Sequence, residues 1–193
     1  LVGLETLIRE DMDRNRTHAA LLVYLGDYVD RGPASREVID HLVRREPLCS
    51  QEVFLRGNHE QTLLDCLKSP AAMEFWCSFG GLETLFSYGL RPRLPLTPES
   101  LEDLRVLFEA SLPAEHLAFL QKTRHSFETA THFFAHAGIN PGVSLAMQKP
   151  ADLMWIREPF LNSKRRFEKV VVHGHTPVPQ PDIRTNRINL DTG

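Results

Sequence analysis

The stretch Ala20-Leu21-Leu22-Val23-Tyr24-Leu25-Gly26-Asp27-Tyr28-Val29-Asp30-Arg31-Gly32 sets the fold class. Six apolar or aromatic residues run without polar alternation, over the length of a strand buried on both faces. The run stops at Gly26, and two carboxylates and an arginine follow within five residues. Upstream, Leu1, Val2, Leu4, Leu7, Ile8 and Met12 recur at three- and four-residue steps, which predicts an amphipathic helix. Downstream, Val38, Ile39, Leu42 and Val43 share one side of a helix over about Ala34 to Arg45. A short strand, Val53-Phe54-Leu55, then breaks at Arg56-Gly57-Asn58-His59. Helix, strand, helix, strand at this spacing predicts α/β layering around a sheet.

From Glu60 to about Lys122 the helical period dominates. Thr97-Pro98-Glu99-Ser100 supplies an N-cap, a first-turn proline and an acidic first turn, and another helix opens at Pro113. Strand character returns at His132-Phe133-Phe134-Ala135, Val170-Val171-Val172 and Arg187-Ile188-Asn189-Leu190. With no repeat or linker, residues 1–193 read as one domain carrying a helical insertion at about 61–130, expected to act as a lid without chemistry of its own. The composition is that of a globular protein, 42% hydrophobic and 24% charged, with no apolar run long enough for a membrane-spanning helix. A net charge of -3 offers no basic field for nucleic acid or anionic lipid. Three cysteines without C-x-x-C spacing argue against a disulfide-linked partner and for a reducing, cytoplasmic location.

Four polar clusters follow directly after strands: Gly26 to Gly32, Arg56-Gly57-Asn58-His59-Glu60, His136-Ala137-Gly138 and His173-Gly174-His175-Thr176. Carboxyl ends of strands open onto the ligand crevice in layered α/β proteins, so the clusters are expected to converge. Asp27, Asn58, His136 and His175 offer mixed oxygen and imidazole donors, which suit manganese, with iron or zinc as the other candidates, better than calcium. Asp27 is able to bridge two cations, and two divalent metal ions would acidify water and clamp a displacement at phosphorus. His59, adjacent to Asn58, is assigned to proton transfer, with Asp30 orienting it and stabilising its positive charge. Asn58 also offers a neutral contact to a phosphate, and Arg31 and Arg56 offer planar forks matched to its oxygens. Glycines 26, 32, 57 and 174 are expected to permit the tight turns.

Gly26-Asp27-Tyr28-Val29-Asp30-Arg31-Gly32 and Gly57-Asn58-His59-Glu60 resemble the second and third signatures of the phosphoprotein phosphatases, a family of calcineurin-like metallophosphoesterases; His136 and His175 fall where that family places its later histidine ligands. The bacterial serine/threonine phosphatases and the phage lambda enzyme are the nearest in style. The resemblance implies a β-sandwich flanked by helices, two metals, and direct attack of a metal-bound water on a phosphomonoester, the substrate being a phosphorylated protein or a small phosphoester. It also implies that Arg31, Arg56 and Arg157, the last in Asp152-Leu153-Met154-Trp155-Ile156-Arg157, hold the phosphate. Symmetrical diadenosine tetraphosphate hydrolases share nearly the same motifs and give the alternative activity. The family's first signature, Gly-Asp-x-His-Gly, is absent, which leaves Asp27 alone for one of the two metals. Truncation ahead of Leu1 is the expected reason; a catalytically inactive binding module is the alternative.

Other residues receive plainer readings. His173 is expected to be a bystander or a supporting neighbour of His175. His18, His41, His116, His125 and His132 follow no ligand spacing and read as surface or helix residues. Cys66, Cys77, Trp76 and Phe79 read as packing residues within a helical stretch.

Overall fold

The computed structural model describes residues 1–15 and 20–193; His18 lies outside the described residues. The opening helix, α1 (Val2–Arg14), forms as expected, but its one buried side chain is Glu5, while Leu1, Val2, Leu4 and Leu7 are exposed. The helix is held by polar contacts: Glu5 accepts a hydrogen bond from the Tyr24 hydroxyl (2.9 Å) and pairs with His41 (2.6 Å) and Arg45 (3.1 Å).

The apolar run becomes β1 (Leu21–Tyr24), joined through α2 (Ser35–Arg44) to β2 (Gln51–Phe54). The strands pair in parallel, from Leu21 opposite Gln51 to Tyr24 opposite Phe54. β1 is half-buried rather than buried on both faces, because β2 is its only strand partner among the described residues.

The helical stretch resolves into α3 (Asn58–Cys66), α4 (Pro70–Trp76), a π-turn at Cys77–Gly81, α5 (Leu82–Ser87), α6 (Pro98–Ser111) and α7 (Ala114–Lys122). Local chemistry explains the starts. Ser69 Oγ accepts from the Ala72 N–H, Thr97 Oγ1 accepts from the Ser100 N–H, and a proline opens both α4 and α6. Leu63, Met73, Trp76, Leu85, Phe108 and Leu120 from these helices are fully buried, in one cluster with Val29 and Ile39 of the β1–α2 region. Each such side chain contributes about 1.5–3 kcal/mol on burial. A segment with this share of the core is built into the fold.

A strand that periodicity misses, β3 (Ser126–Glu128), follows α7. Only Phe127 of its three residues is a strong strand former. Just before it, Arg124 N–H donates to Phe54 C=O (2.9 Å) and Arg56 N–H donates to Arg124 C=O (2.7 Å), linking β2 to the second sheet. That sheet comprises β3, β4 (His132–Ala135), β5 (Val170–His173), β6 (Asp182–Ile183) and β7 (Arg187–Asn189), in the order β3-β4-β5-β7-β6. β4–β5 and β5–β7 are parallel; the outer pairs are antiparallel. Between β4 and β5, α8 (Pro150–Trp155) and α9 (Glu158–Leu161) cover a second apolar cluster around Phe133, Leu153, Phe160 and Val171. The architecture is mixed α/β: a two-stranded parallel pair and a five-stranded mixed sheet joined at Arg124. The carboxyl ends of β1, β2, β4 and β5 carry the four polar clusters to one place.

Candidate metal and phosphate site

Backbone strain marks the site before any side chain is considered. Asp27 (φ 61°), Asp30 (φ 74°), Arg31 (φ 62°) and His175 (φ 68°) all adopt the left-handed region, and all belong to the clusters after β1 and β5. Non-glycine residues reach it at a cost and concentrate at functional loops. Glycine is required where two of these loops touch. Gly26 has φ 100°, and a Cβ there would lie 2.5 Å from the Gly57 nitrogen; a Cβ on Gly57 would overlap the Asp27 carboxylate. Gly32 and Gly174 face no such crowding, so the conformational demand falls on two of the four expected glycines.

Glu60, at the third position of α3, fastens these loops. Its carboxylate accepts from the backbone N–H groups of Gly57 (2.8 Å), Asp27 (2.8 Å) and Tyr28 (2.7 Å). Burial, with Asp27 nearby, pushes the carboxyl up to about 7, and the N–H donors oppose that shift. The acidic residue after Asn58-His59 is thus the peg that sets the Asp27 loop against the start of α3.

The donor atoms converge on His136. Its Nδ1 lies 2.7 Å from Leu25 C=O, so Nδ1–H donates there and Nε2 presents its lone pair. Around Nε2 stand Asn58 Oδ1 (3.0 Å), His175 Nδ1 (3.2 Å) and an Asp27 carboxylate oxygen (3.3 Å). The Asp27, His136 and His175 ligand atoms all lie within 4.8 Å of one another. A lone pair facing an amide oxygen and a carboxylate needs a cation or a proton between them. The tendency shows in the ionisation equilibria. Burial would depress His136, but Asp27 outweighs it and raises the imidazole; burial likewise opposes Asp27, whose carboxyl His136 holds below the usual range. Burial, with His136 and Arg157 beside it, pushes His175 down to about 4, so that ring stays neutral and available as a donor. The donor set fits one divalent cation. Asp27 stands between two clefts: one of about 230 Å³ lined by Arg31, Asn58, His59, Phe79, Trp155 and Arg157, and one of about 380 Å³ walled by Gly26, Pro177, Leu190 and Asp191.

His59 and Asp30 form a buried pair, Nδ1 to Oδ2 at 2.7 Å. The helical stretch holds that carboxylate. Trp76 Nε1–H donates to both oxygens (3.1 and 3.0 Å), and the Thr84 hydroxyl donates to Oδ1 (2.7 Å). Asp30 N–H lies 2.9 Å from Thr84 Oγ1 and 3.1 Å from Ser35 Oγ. Phe79, on the π-turn, stacks on the His59 ring at 4.6 Å and 18°, and the Arg31 N–H donates to Gly80 C=O (3.1 Å). Periodicity alone assigned Trp76 and Phe79 to packing. Trp76 is indeed fully buried, but its one polar atom is spent on the acid beside His59.

The arginines separate. Arg31 lies on the cleft wall with its guanidinium carbon 5.7 Å from the Phe79 ring centre. Arg157 shares the wall, its Nε 3.2 Å from His175 Nε2. Arg56 is not brought there. Its guanidinium donates to Thr123 Oγ1 (2.9 Å), Gln61 Oε1 (3.1 Å) and the carbonyls of Leu120 (3.1 Å) and Gln121 (2.9 Å). Arg56 therefore caps the C-terminal end of α7, where the last carbonyls lack helical partners, and the expectation of a phosphate contact is corrected.

A sequence model of the family described as "Calcineurin-like phosphoesterase" matches residues 3–187, spanning every cluster described above. The chain belongs to this family. It is 33% identical over 181 residues to "Serine/threonine-protein phosphatase 1" of Salmonella typhimurium (strain LT2), covering 90% of this chain and 73% of that protein. Among solved structures it resembles the one described as "Crystal structure of a putative diadenosine tetraphosphatase", with a TM-score of 0.58 and 22% identity, covering 95% of this chain and 76% of that one. A metallophosphoesterase from Sphaerobacter thermophilus matches with a TM-score of 0.44 and 16% identity, over 97% of this chain and 71% of that one.

Two further histidine readings are settled by this phosphoesterase's geometry. His173 is buried, held down at about 4 chiefly by burial, and packs edge-on against Phe160 (4.9 Å), supporting the turn that presents His175. His116, read as a surface or helix residue, lies on α7 and is fully buried between the Tyr88 hydroxyl (2.8 Å) and Asp40 (3.0 Å). Asp40 and Glu115 also sit within reach of one ion with His116, but both carboxylates already pair with Arg44 (3.2 and 2.6 Å).

Proposed function

We propose that this phosphoesterase hydrolyses phosphomonoesters with divalent cations, and that phosphoserine and phosphothreonine in proteins are its substrates. The observation that carries the reading is the meeting of Asp27, Asn58, His136 and His175 beside the His59–Asp30 pair, on a cleft that also holds Arg31 and Arg157. The similarity to a serine/threonine-protein phosphatase supports the substrate class.

Asp27, Asn58, His136 and His175 would hold one divalent cation, and Asp27 also borders the second cleft; manganese suits the mixed donors best, then iron or zinc. Bound there, a divalent cation would supply Lewis-acid polarisation of the phosphoryl oxygens and a lowered pKa for water. The chain's own residues do the rest. Arg31 and Arg157 orient the phosphate through charge-assisted hydrogen bonds, and Asn58 adds a neutral amide at the same wall. Glu60 and the glycine contact keep the Asp27 loop in register with α3. His59, its Nδ1 committed to Asp30, has Nε2 left to carry a proton to the departing alkoxide, a step worth about 10²–10⁴-fold. The carboxylate that Trp76 and Thr84 hold keeps the imidazole turned the right way.

Hydrolysis of the symmetrical dinucleotide diadenosine tetraphosphate is the second reading, favoured by the solved structure whose description names that activity. Phosphate release from p-nitrophenyl phosphate and a phosphoserine peptide, compared with ADP formation from the dinucleotide, each with added manganese, separates the two. The proposal expects the monoesters to be turned over faster. Preference for the dinucleotide by orders of magnitude would reverse the assignment.

A further inference from the structure

The mouth of the 230 Å³ cleft carries more aromatic surface than folding requires. α4 sends Met73 and Trp76 into the core, whereas Phe75 on the same helix is 51% exposed. Phe75 stacks on Phe79 (5.5 Å, 12°), which in turn stacks on His59. From the opposite wall Trp155, at the end of α8, reaches within 5.4 Å of the Phe79 ring while remaining 38% exposed. Trp155 also stands edge-on to His175 at 6.4 Å. Phe79 and Trp155, from two distant parts of the chain, thus line the cleft with Arg31 and Arg157, and Phe75 extends the ring stack beyond its lining. Large exposed aromatics grouped at a cleft, rather than scattered, mark a surface built to be covered.

We infer that Phe75, Phe79 and Trp155 form an aromatic subsite that takes a flat ring bonded next to the phosphate, as in an aryl monoester, in addition to the ringless phosphoserine and phosphothreonine. The placement of that phosphate between Arg31 and Arg157 rests on the phosphoesterase reading above. Given it, a ring bonded directly through the ester oxygen lies one linkage outward, where Phe79 meets Phe75 and Trp155. Ring centres 4.5–7 Å apart in offset or tilted stacking gain about 0.5–1.5 kcal/mol beyond area burial. A ring one linkage from phosphorus fits this reach better than a nucleobase, which a ribose holds further out. The same flat π-chemistry comes from either source, an aryl phosphate such as phosphotyrosine or a nucleotide.

Non-hydrolysable ligands isolate binding from leaving-group reactivity. Calorimetric titration of the manganese-supplemented protein with phenylphosphonate, methylphosphonate and adenosine monophosphate compares an adjacent ring, no ring and a distant ring. Phenylphosphonate is expected to bind about 2- to 12-fold more tightly than methylphosphonate, the range the stacking gain converts to. That ratio falls toward one in Phe75→Ala and in Trp155→Ala, and falls less in Phe75→Leu, which keeps apolar area. Phe75 is half-exposed, so its truncation spares the core. Equal affinity for the two phosphonates, or a ratio unchanged in both alanine variants, would overturn the inference. So would adenosine monophosphate alone showing a Phe75-dependent gain. A Phe75-dependent preference in a protein that releases no phosphate from any ester would uphold the subsite and instead refute the phosphoesterase reading.

Discussion

Thr84→Val tests whether the helical stretch works on the site or only fills space beside it. The Thr84 hydroxyl is fully buried, donates to Asp30 Oδ1 at 2.7 Å and lies 2.9 Å from the Asp30 N–H. Valine keeps the shape of the side chain and deletes the oxygen. Asp30 Oδ1 then retains only Trp76 Nε1–H (3.1 Å), and the Asp30 N–H retains Ser35 Oγ (3.1 Å). Hydrogen bonds to a charged group are worth about 1.5–3 kcal/mol. The surviving partners place the loss at the lower end, about 1.5–2 kcal/mol. For a chain of this size that lowers the melting temperature by about 3–8 °C. Urea unfolding would show a lower midpoint with an unchanged slope, because the surface exposed on unfolding is the same. The catalytic consequence is selective. A less firmly held Asp30 orients His59 less well, so turnover of phosphoserine, whose alkoxide needs a proton, falls more than turnover of p-nitrophenyl phosphate, whose phenolate leaves unaided. Equal stability of the variant and the parent protein would refute the clamp. Equal loss on both substrates would refute its link to proton transfer.

Arg56→Ala should lower stability by about 1.5–3 kcal/mol, through the lost cap on α7, and leave KM for p-nitrophenyl phosphate within about twofold of the parent value; a large rise in KM at unchanged melting temperature would restore the phosphate contact. Glu5 gives a pH signature. Burial would raise its carboxyl, but His41, Tyr24 and Arg45 outweigh that and hold it below the usual range. A carboxyl lowered on folding contributes stability above its unfolded pKa of about 4.3, and the contribution is lost as pH falls through the lower folded value. The stability gap between parent and Glu5→Gln, read by urea unfolding, should therefore be widest near pH 7 and close below pH 4; a gap independent of pH would contradict it.

The helices and the principal strands were legible because each element reports its own period. Ala20 to Leu25 and Val170 to Val172 are unbroken apolar runs, and Pro98 and Pro113 punctuate the helices. β3 and β6 were not, since three and two residues give no period and their pairing comes from neighbours far along the chain. At the site, Asp27, Asn58, His59, His136 and His175 stood out by residue type and by position after strands, and the structure gathers them. Arg56 carried the same kind of signal, yet its side chain turns to the α7 carbonyls, a direction that only the docking of α7 beside β2 determines. The reverse holds for Trp76, Phe79 and Thr84. They look like core residues at helical spacing, and their contact with Asp30 and His59 depends on a glycine kink at Gly80 (φ 117°) that no pattern of apolar residues encodes. The Gly80-Gly81 pair was the available signal: a Cβ on Gly81 would overlap the Trp76 indole.

The division of labour between Asp27 and His59 is the centre of the account, and calorimetric titration of manganese into the parent protein, Asp27→Ala and His59→Ala measures it directly. Asp27 faces the His136, His175 and Asn58 donors, whereas the His59 side chain is tied through Nδ1 to Asp30 and only its backbone N–H reaches Asp27 Oδ1 (3.4 Å). The expected result is binding in the parent protein, retained in His59→Ala and lost in Asp27→Ala. Equal loss in the two variants, or undiminished binding in Asp27→Ala, would contradict the assignment of the site.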